Sequence, residues 1–522
     1  MLIYTAVVLG CLAAYSYFVA AEHVLGHSAR QELITVSGNQ RANIASLTAD
    51  ATSQPPHANV IQVHPGGNIQ YLVDQYGGNT TFLLKTGIHR LQQIVPKSRH
   101  TFVGENGTIL SGARLLTEFV KEGKYWTVIG QTQQGGATGR CEHIHVAMPV
   151  DTCMFPEDLF IDDIPLTQVS QLTDLSPTKW YFDYESDKIY LMDDPHGHKV
   201  ETSVTPYAFE GNASNVVIRG LVIEKYATPT QEGAIHGRMG HSGPLGKNWL
   251  IENNEIRFNH AMGIRVGDGS QVMNNRIHHN GQYGVGGNGT DIVIANNEIS
   301  YNNSMGYHWH TGGGTKFVWT KNLIVRHNHV HHNFGPGLWT DINNINTLYE
   351  NNTVRLNRST GIFHEISYSA VIRNNVVEEN GFDNSVWLNG AGILVSCSSE
   401  VEVYGNTVRH NADGIGAIQT ERGHGRYGYY EVKNLHVHHN NIVMKEGETG
   451  FDVKTRDLQY YTKKNNRFTN NTYIVESQEP KSFRWMNARH TFKEWQNFGQ
   501  DVSGTMTKTT KEPVQLPNSP VN

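Results

Sequence analysis

Charge is scarce in this chain. Asp, Glu, Lys and Arg make up 17% of the 522 residues, and the net charge of −6 is small for that length. No basic face is clustered in the sequence, so it lacks what a nucleic-acid reader needs. Four cysteines give no Cys-x-x-Cys pair, which argues against a cysteine zinc site. Cys141 and Cys153 are the two that could close a short loop in an oxidising compartment. Cys11 lies in the apolar N-terminal run, and Cys397 reads as a small buried residue. Few charges beside 52 glycines suit short strands and turns better than long amphipathic helices.

The apolar run from Met1 to Ala21 ends in Val19-Ala20-Ala21, small residues suited to cleavage. No Lys or Arg precedes it, and its length is close to the ~20 residues that cross a bilayer. Residues 1–21 are therefore read as a signal peptide or an uncleaved membrane anchor. Either reading exports the body of the chain, which is expected to be secreted or periplasmic, or held at a membrane by this segment. Residues 22–58 are polar and aperiodic, a linker.

From Asn215 a repeat takes over. Segments such as IENNEIRFNHAMGIRV, VMNNRIHHNGQYGVGG and YENNTVRLNRSTGIFHE place an Asn-Asn pair before each new apolar alternation. The second Asn falls at Asn254, Asn275, Asn297, Asn328, Asn352, Asn375 and Asn406, at spacings of 21, 22, 31, 24, 23 and 31. A period near 22 with occasional insertions is the mark of a β-solenoid. Stacked coils place equivalent Asn residues in columns whose amides bond along the stack. The predicted fold is all-β, a right-handed parallel β-helix over 59–455. A small antiparallel β insert is expected near 153–203, a C-terminal cap at 456–504 and a disordered tail at 505–522. TFLLKTGIHRL, HTFVGENGTILSGA and KYWTVIG read as opening coils. Trp485, Phe492 and Trp495 read as cover for the open end.

Alternation in the strands after each turn glycine sends the second and fourth residues outward. Aligning on Gly263, Gly284, Gly306, Gly337 and Gly361 gives an outward column of Arg265, Gly286, His308, Trp339 and Phe363. The other column runs Gly267, Asn288, His310, Asp341, Glu365 and Ser396. Asp341 and Glu365 thus fall on consecutive coils, ~4.8 Å apart. Retaining glycosidases hold two carboxyl groups ~5–5.5 Å apart, one attacking the anomeric carbon and one protonating the leaving oxygen. Trp339 and Phe363 read as flat surfaces for a sugar ring, and His308, His310 and Arg265 as further substrate contacts. If Ile418 points inward, Gln419 and Glu421 join the same face. Against all this, exposed Asp and Glu are common on any solvent-facing sheet.

The coil pattern resembles the parallel β-helix superfamily of polysaccharide-active proteins. GLWTDINN (337–344) and GIFHEISYSAVIRNN (361–375) resemble the active-site strands of family-120 glycoside hydrolases, the β-xylosidase type. That resemblance implies Asp341 as nucleophile and Glu365 as acid/base. Thr340 and His364 depart from the family pattern, which leaves sugar specificity open, and His364 is counted with the substrate contacts. The expected substrate is an oligosaccharide or polysaccharide, with no metal or other cofactor in the hydrolytic reading. Two other readings stand beside it. One is a metal-assisted polysaccharide lyase or uronate epimerase, for which the columns show no lysine. The other is a β-helix that binds glycan without turning it over.

Overall fold

The computed structural model describes residues 59–134, 155–238, 243–307, 311–383, 388, 390–476 and 481–509. The leader at 1–21, the linker at 22–58, and Cys141 and Cys153 lie outside these residues. Each coil supplies three short strands that pair with their counterparts in the next coil. Among the described residues this builds two 13-stranded sheets and one 12-stranded sheet. Pairing within them is parallel except for the last pair of the third sheet, Phe483–Trp485 with Ala488–His490. Leu250–Glu252, Glu255–Arg257 and Met262–Val266 form one such coil. Its inward residues Ile251, Ile256 and Ile264 are fully buried. They sit in register on Val272, Ile277 and Val285 of the next coil. Each such side chain contributes about 2 kcal/mol by leaving water.

The corners explain the Asn repeat. Between the first two sheets one residue turns left-handed, as Asn253 does at φ 55, and the next, Asn254, turns inward. Asn tolerates that backbone region better than most residues. From Asn254 the buried amides run through Asn275, Asn297, Asn328, Asn352, Asn375, Asn406, Asn440 and Asn471, each Nδ2 donating to the next Oδ1. The last donates to Asp501 at 3.0 Å. A second column, Asn259 through Asn411, lines the corner between the second and third sheets. There the left-handed residues include Phe258, His279, Tyr301 and His332. A bulky side chain in that region costs roughly 1–2 kcal/mol. Their rings pack in series, Phe258 tilted on His279 at 5.4 Å and the next two pairs stacked at 5.0 and 4.9 Å, which offsets part of it.

The insert is larger than the sequence suggests. Its eight-stranded sheet starts at Ala113–Leu116 and ends at Val200–Ser203. KYWTVIG belongs to it rather than to a coil, because Trp126–Val128 pairs antiparallel with Ile189–Leu191. One pair, Thr167–Val169 with Lys179–Tyr181, is parallel. The insert has its own core around Trp180, Phe182 and Leu191. The buried Lys225 of the helix joins it through Asp163 and Glu201. Two differences concern the C-terminal end, the extent of the coils and the state of residues 505–508, while the three aromatics lie where a cover would. Coil strands continue past 455, at Arg467–Thr469, Thr472–Val475 and Phe483–Trp485. Trp485 and Trp495 are buried in the helix core, with Phe492 packed against it. Thr505–Lys508, expected to be frayed, pairs in parallel with Thr472–Val475, whose open edge needs a partner.

The Asn column has a direct test. Asn352 accepts from the Asn328 N–H and Nδ2 and donates to the Val325 carbonyl and to Asn375. Asn352→Leu strands these buried partners and is expected to cost at least ~3 kcal/mol in denaturant unfolding. A loss below about 1 kcal/mol would show the column to be decoration.

Candidate active site

The third sheet carries the candidate site. Its strands begin at glycine because the chain there runs against the second Asn column. A Cβ at Gly337 would meet the Asn357 amide at 2.8 Å. From that point alternation points Leu338 and Thr340 inward, and Trp339 and Asp341 to the other side. The next coil repeats this with Ile362, Phe363, His364 and Glu365, and Asp341 stands in register with Glu365. The two residues therefore stand one strand spacing apart along the sheet, ~4.8 Å between their backbones. A short polar ladder pins the backbone behind them. The Asn344 amide donates to the Asp341 carbonyl at 2.9 Å and to Ser367 Oγ at 3.0 Å. Ser367 donates to the Glu365 carbonyl at 2.6 Å, and Ser398 to the Ser396 carbonyl at 2.9 Å.

Each carboxylate has a cation of its own. Lys316 Nζ lies 3.0 Å from Asp341 Oδ2 and 3.7 Å from the centre of the Trp339 ring. Arg422 Nη1 lies 2.9 Å from Glu365 Oε1. Asp341 Oδ1 is buried and meets no hydrogen-bond partner among the described residues. Burial pushes the Glu365 carboxyl above its ordinary pKa, and the Asp341 charge adds to this. Arg422 and Lys316 pull the other way without cancelling it. One carboxylate is thus tied to a lysine, while its neighbour holds a proton more tightly than an ordinary carboxyl does.

Neither cation was expected from the sequence. Lys316 was missed through a register error at the 31-residue spacing, where Gly306 looked like the turn glycine. Gly313–Lys321 is the strand of that coil, and Lys316 pairs with Gly286. Phe317 pairs with Thr340, so Lys316 takes the place assigned to His308. His308 and His310 lie outside the described residues. The usable signal was Gly312-Gly313-Gly314 followed by alternating Thr315, Lys316 and Phe317. Arg422 had no periodic signal. It comes from the segment after Gln419, whose hairpin pairs His424–Gly425 with Gly428–Tyr429. The Arg426 N–H donates to Asn343 Oδ1 at 2.6 Å, and Tyr368 donates to the Gly428 carbonyl at 2.7 Å. These bonds hold the hairpin against the coils of Asp341 and Glu365.

Several expected substrate contacts are placed otherwise. Trp339 and Phe363 are 1% and 3% exposed and stack on each other at 5.6 Å. Leu388, Ala391 and Leu394 pack with them, so they form a small hydrophobic cluster rather than open sugar platforms. His364 points into the core, where its Nδ1 meets Thr340 Oγ1 at 2.7 Å and burial holds it neutral, its pKa pushed down to about 3. Arg265 is three coils from Asp341, with one guanidinium N–H on the Gln231 carbonyl. Ile418 stands in the column of Glu365 and Ser396, so Gln419 turns inward. Its side chain accepts from the Val432 N–H and donates to the Thr420 carbonyl. Glu421 stays in the exposed segment, bonded to Tyr429. Cys397 is a buried free thiol.

Residues 245–408 match the family described as "Right handed beta helix region". The structure described as XylC with xylose is similar to this chain at a TM-score of 0.61, with 14% identity over 87% of each chain. A glycoside hydrolase is similar at a TM-score of 0.47, with 11% identity over 70% of this chain and 95% of its own. A mannuronic acid-specific polysaccharide family 6 lyase from human gut microbiota reaches 0.43, with 10% identity over 80% of this chain and 81% of its own. No curated protein matches significantly. The fold is a right-handed parallel β-helix.

Removing a cation should move the Glu365 proton in a known direction. Arg422→Met takes away a charge that favours the carboxylate, so the Glu365 carboxyl stretch should titrate at higher pH by difference infrared spectroscopy. Glu365→Gln identifies the band. An unmoved or lower titration would show that Arg422 is not held at Glu365 in solution.

Proposed function

We propose that this protein is a retaining glycoside hydrolase acting on an extracytoplasmic glycan or oligosaccharide. The observation that carries the reading is the in-register Asp341–Glu365 pair with its unequal surroundings. Asp341, charge-paired with Lys316 and with Oδ1 unbonded, is the nucleophile that forms the glycosyl-enzyme bond. Glu365, whose burial favours the protonated acid, protonates the departing glycosidic oxygen and then takes a proton from the incoming water. One strand spacing suits this reaction better than the ~6.5–9.5 Å an inverting enzyme needs for water between its carboxyls. Lys316 is committed to Asp341 as a cation, which disfavours it as a proton-abstracting base. Its presence beside the carboxylates is nonetheless the one observation that supports the second reading, β-elimination or C5 epimerisation of a uronate.

The like-folded XylC was solved with xylose, which makes aryl xylosides sensible first substrates. Asp341→Asn and Glu365→Gln are each expected to reduce turnover at least ~1,000-fold with the fold intact, a loss of about 4 kcal/mol of transition-state stabilisation. The first-formed sugar should keep its anomeric configuration by NMR. An unsaturated, ultraviolet-absorbing product would instead establish the lyase, and binding without turnover the adhesin-like reading. Full activity in either variant would sink the assignment.

The pH dependence has a definite sign. Glu365 acts first as an acid, so kcat/KM should fall as pH rises through its elevated pKa. Glu365→Ala should lose this basic limb, and it should lose less rate on substrates whose leaving groups need no proton. A basic limb unchanged in Glu365→Ala would assign the acid to another group.

A further inference from the structure

The first sheet holds a second cluster of metal-ligating side chains, remote in the fold from the third-sheet site. Glu402 pairs in register with His436, and His438 lies two residues along the same strand, so all three side chains share one face. His438 Nε2 is 3.0 Å from Glu402 Oε1. The imidazoles of His436 and His438 lie 4.1 Å apart centre to centre. One donor atom from each of the three residues falls within 4.8 Å of the other two. Zinc bound at ~2.0–2.1 Å to nitrogen and oxygen sets its donors roughly 3.3 Å apart in a tetrahedron.

The ring nitrogens that would face away from the ion are already engaged. His436 Nε2 lies 2.8 Å from Thr469 Oγ1, which fits an Nε2–H tautomer whose Nδ1 lone pair is an acceptor and a possible metal donor. His438 Nε2–H donates to Glu402 at 3.0 Å and Nδ1 lies 2.8 Å from His439 Nδ1, so an ion bound at Nε2 would displace the proton now shared with Glu402. Partners of this kind orient metal-binding histidines and set their tautomers. A guanidinium currently sits where an ion would go, with Arg467 Nη2 3.0 Å from His436 Nδ1. Arg467 is partly exposed and also bonds Asn465, so it has somewhere to turn.

We propose that Glu402, His436 and His438 form a divalent-metal site, best matched to zinc, with a fourth position open to water. Two imidazoles and a carboxylate suit zinc better than calcium or magnesium, which take oxygen donors. The second sheet supplies an internal comparison. His329 and His331 lie 4.2 Å apart centre to centre near Glu298, but His331 Nε2 stands 3.5 Å from that carboxylate, and these three do not bring their donors together in the same way.

Calorimetric titration of the metal-stripped full chain with zinc chloride tests this. A saturable site of micromolar affinity is expected. His436→Ala and His438→Ala should each weaken it at least tenfold, and Glu402→Gln serves if either fails to fold. Arg467→Met should tighten it, because a competing cation is gone, an effect no purely structural role for the cluster predicts. His329→Ala should leave it unchanged. Absence of saturable binding, an affinity unmoved by the His436 and His438 variants, or loss of the site in His329→Ala would overturn the proposal.

Discussion

Everything in this protein depends on coils that stack in exact parallel register. No coil can bury its own apolar residues, so each relies on the next to close its part of the core. Backbone pairing alone leaves a parallel strand free to slip by two residues with its faces preserved. The internal Asn columns remove that freedom, because each buried amide has a partner only at one height. Left-handed corners then deliver an Asn into the column every turn. Insertions lengthen some coils to 31 residues, yet the amides on either side still meet, as Asn297 meets Asn328.

The candidate site exploits the same register at a cost. Two acidic side chains on neighbouring strands repel, by about 3 kcal/mol at one strand spacing for an effective dielectric of 20. Lys316 and Arg422, each near 3 Å from one carboxylate, attract by roughly 5 kcal/mol on the same scale. The pair is therefore tolerable, while burial still holds the Glu365 carboxyl above its ordinary pKa. The sheet supplies the spacing, and groups from the preceding coil and from the segment after Gln419 supply the electrostatics.

That division explains what could be read from the sequence. Asn spacing and alternating apolar residues are properties of the stack itself, so the β-helix and the adjacency of Asp341 and Glu365 were legible. Whether an outward residue meets solvent is not encoded by alternation, which is why Trp339 and Phe363 looked like platforms although Leu388 and Leu394 pack with them. His364 illustrates the opposite error, since its third-position parity already sends it inward. Lys316 was hidden by an inserted segment before its glycine. Arg422 reaches Glu365 across 57 residues from a segment outside the repeat, and no periodicity could place it.

The main Asn column also has a direction. From Asn254 to Asn471 each side-chain amide donates toward the C-terminal end. Nine such dipoles aligned head to tail make the column electrically polar, with its N–H end at the last coil. Asp501 receives that end, together with Tyr473 and Trp495, as a carboxylate receives the start of an α-helix. The two ends of the stack are thus different in kind. A coil removed from the middle leaves the polarity unchanged, whereas a chain shortened at its final coil loses the anion that terminates it.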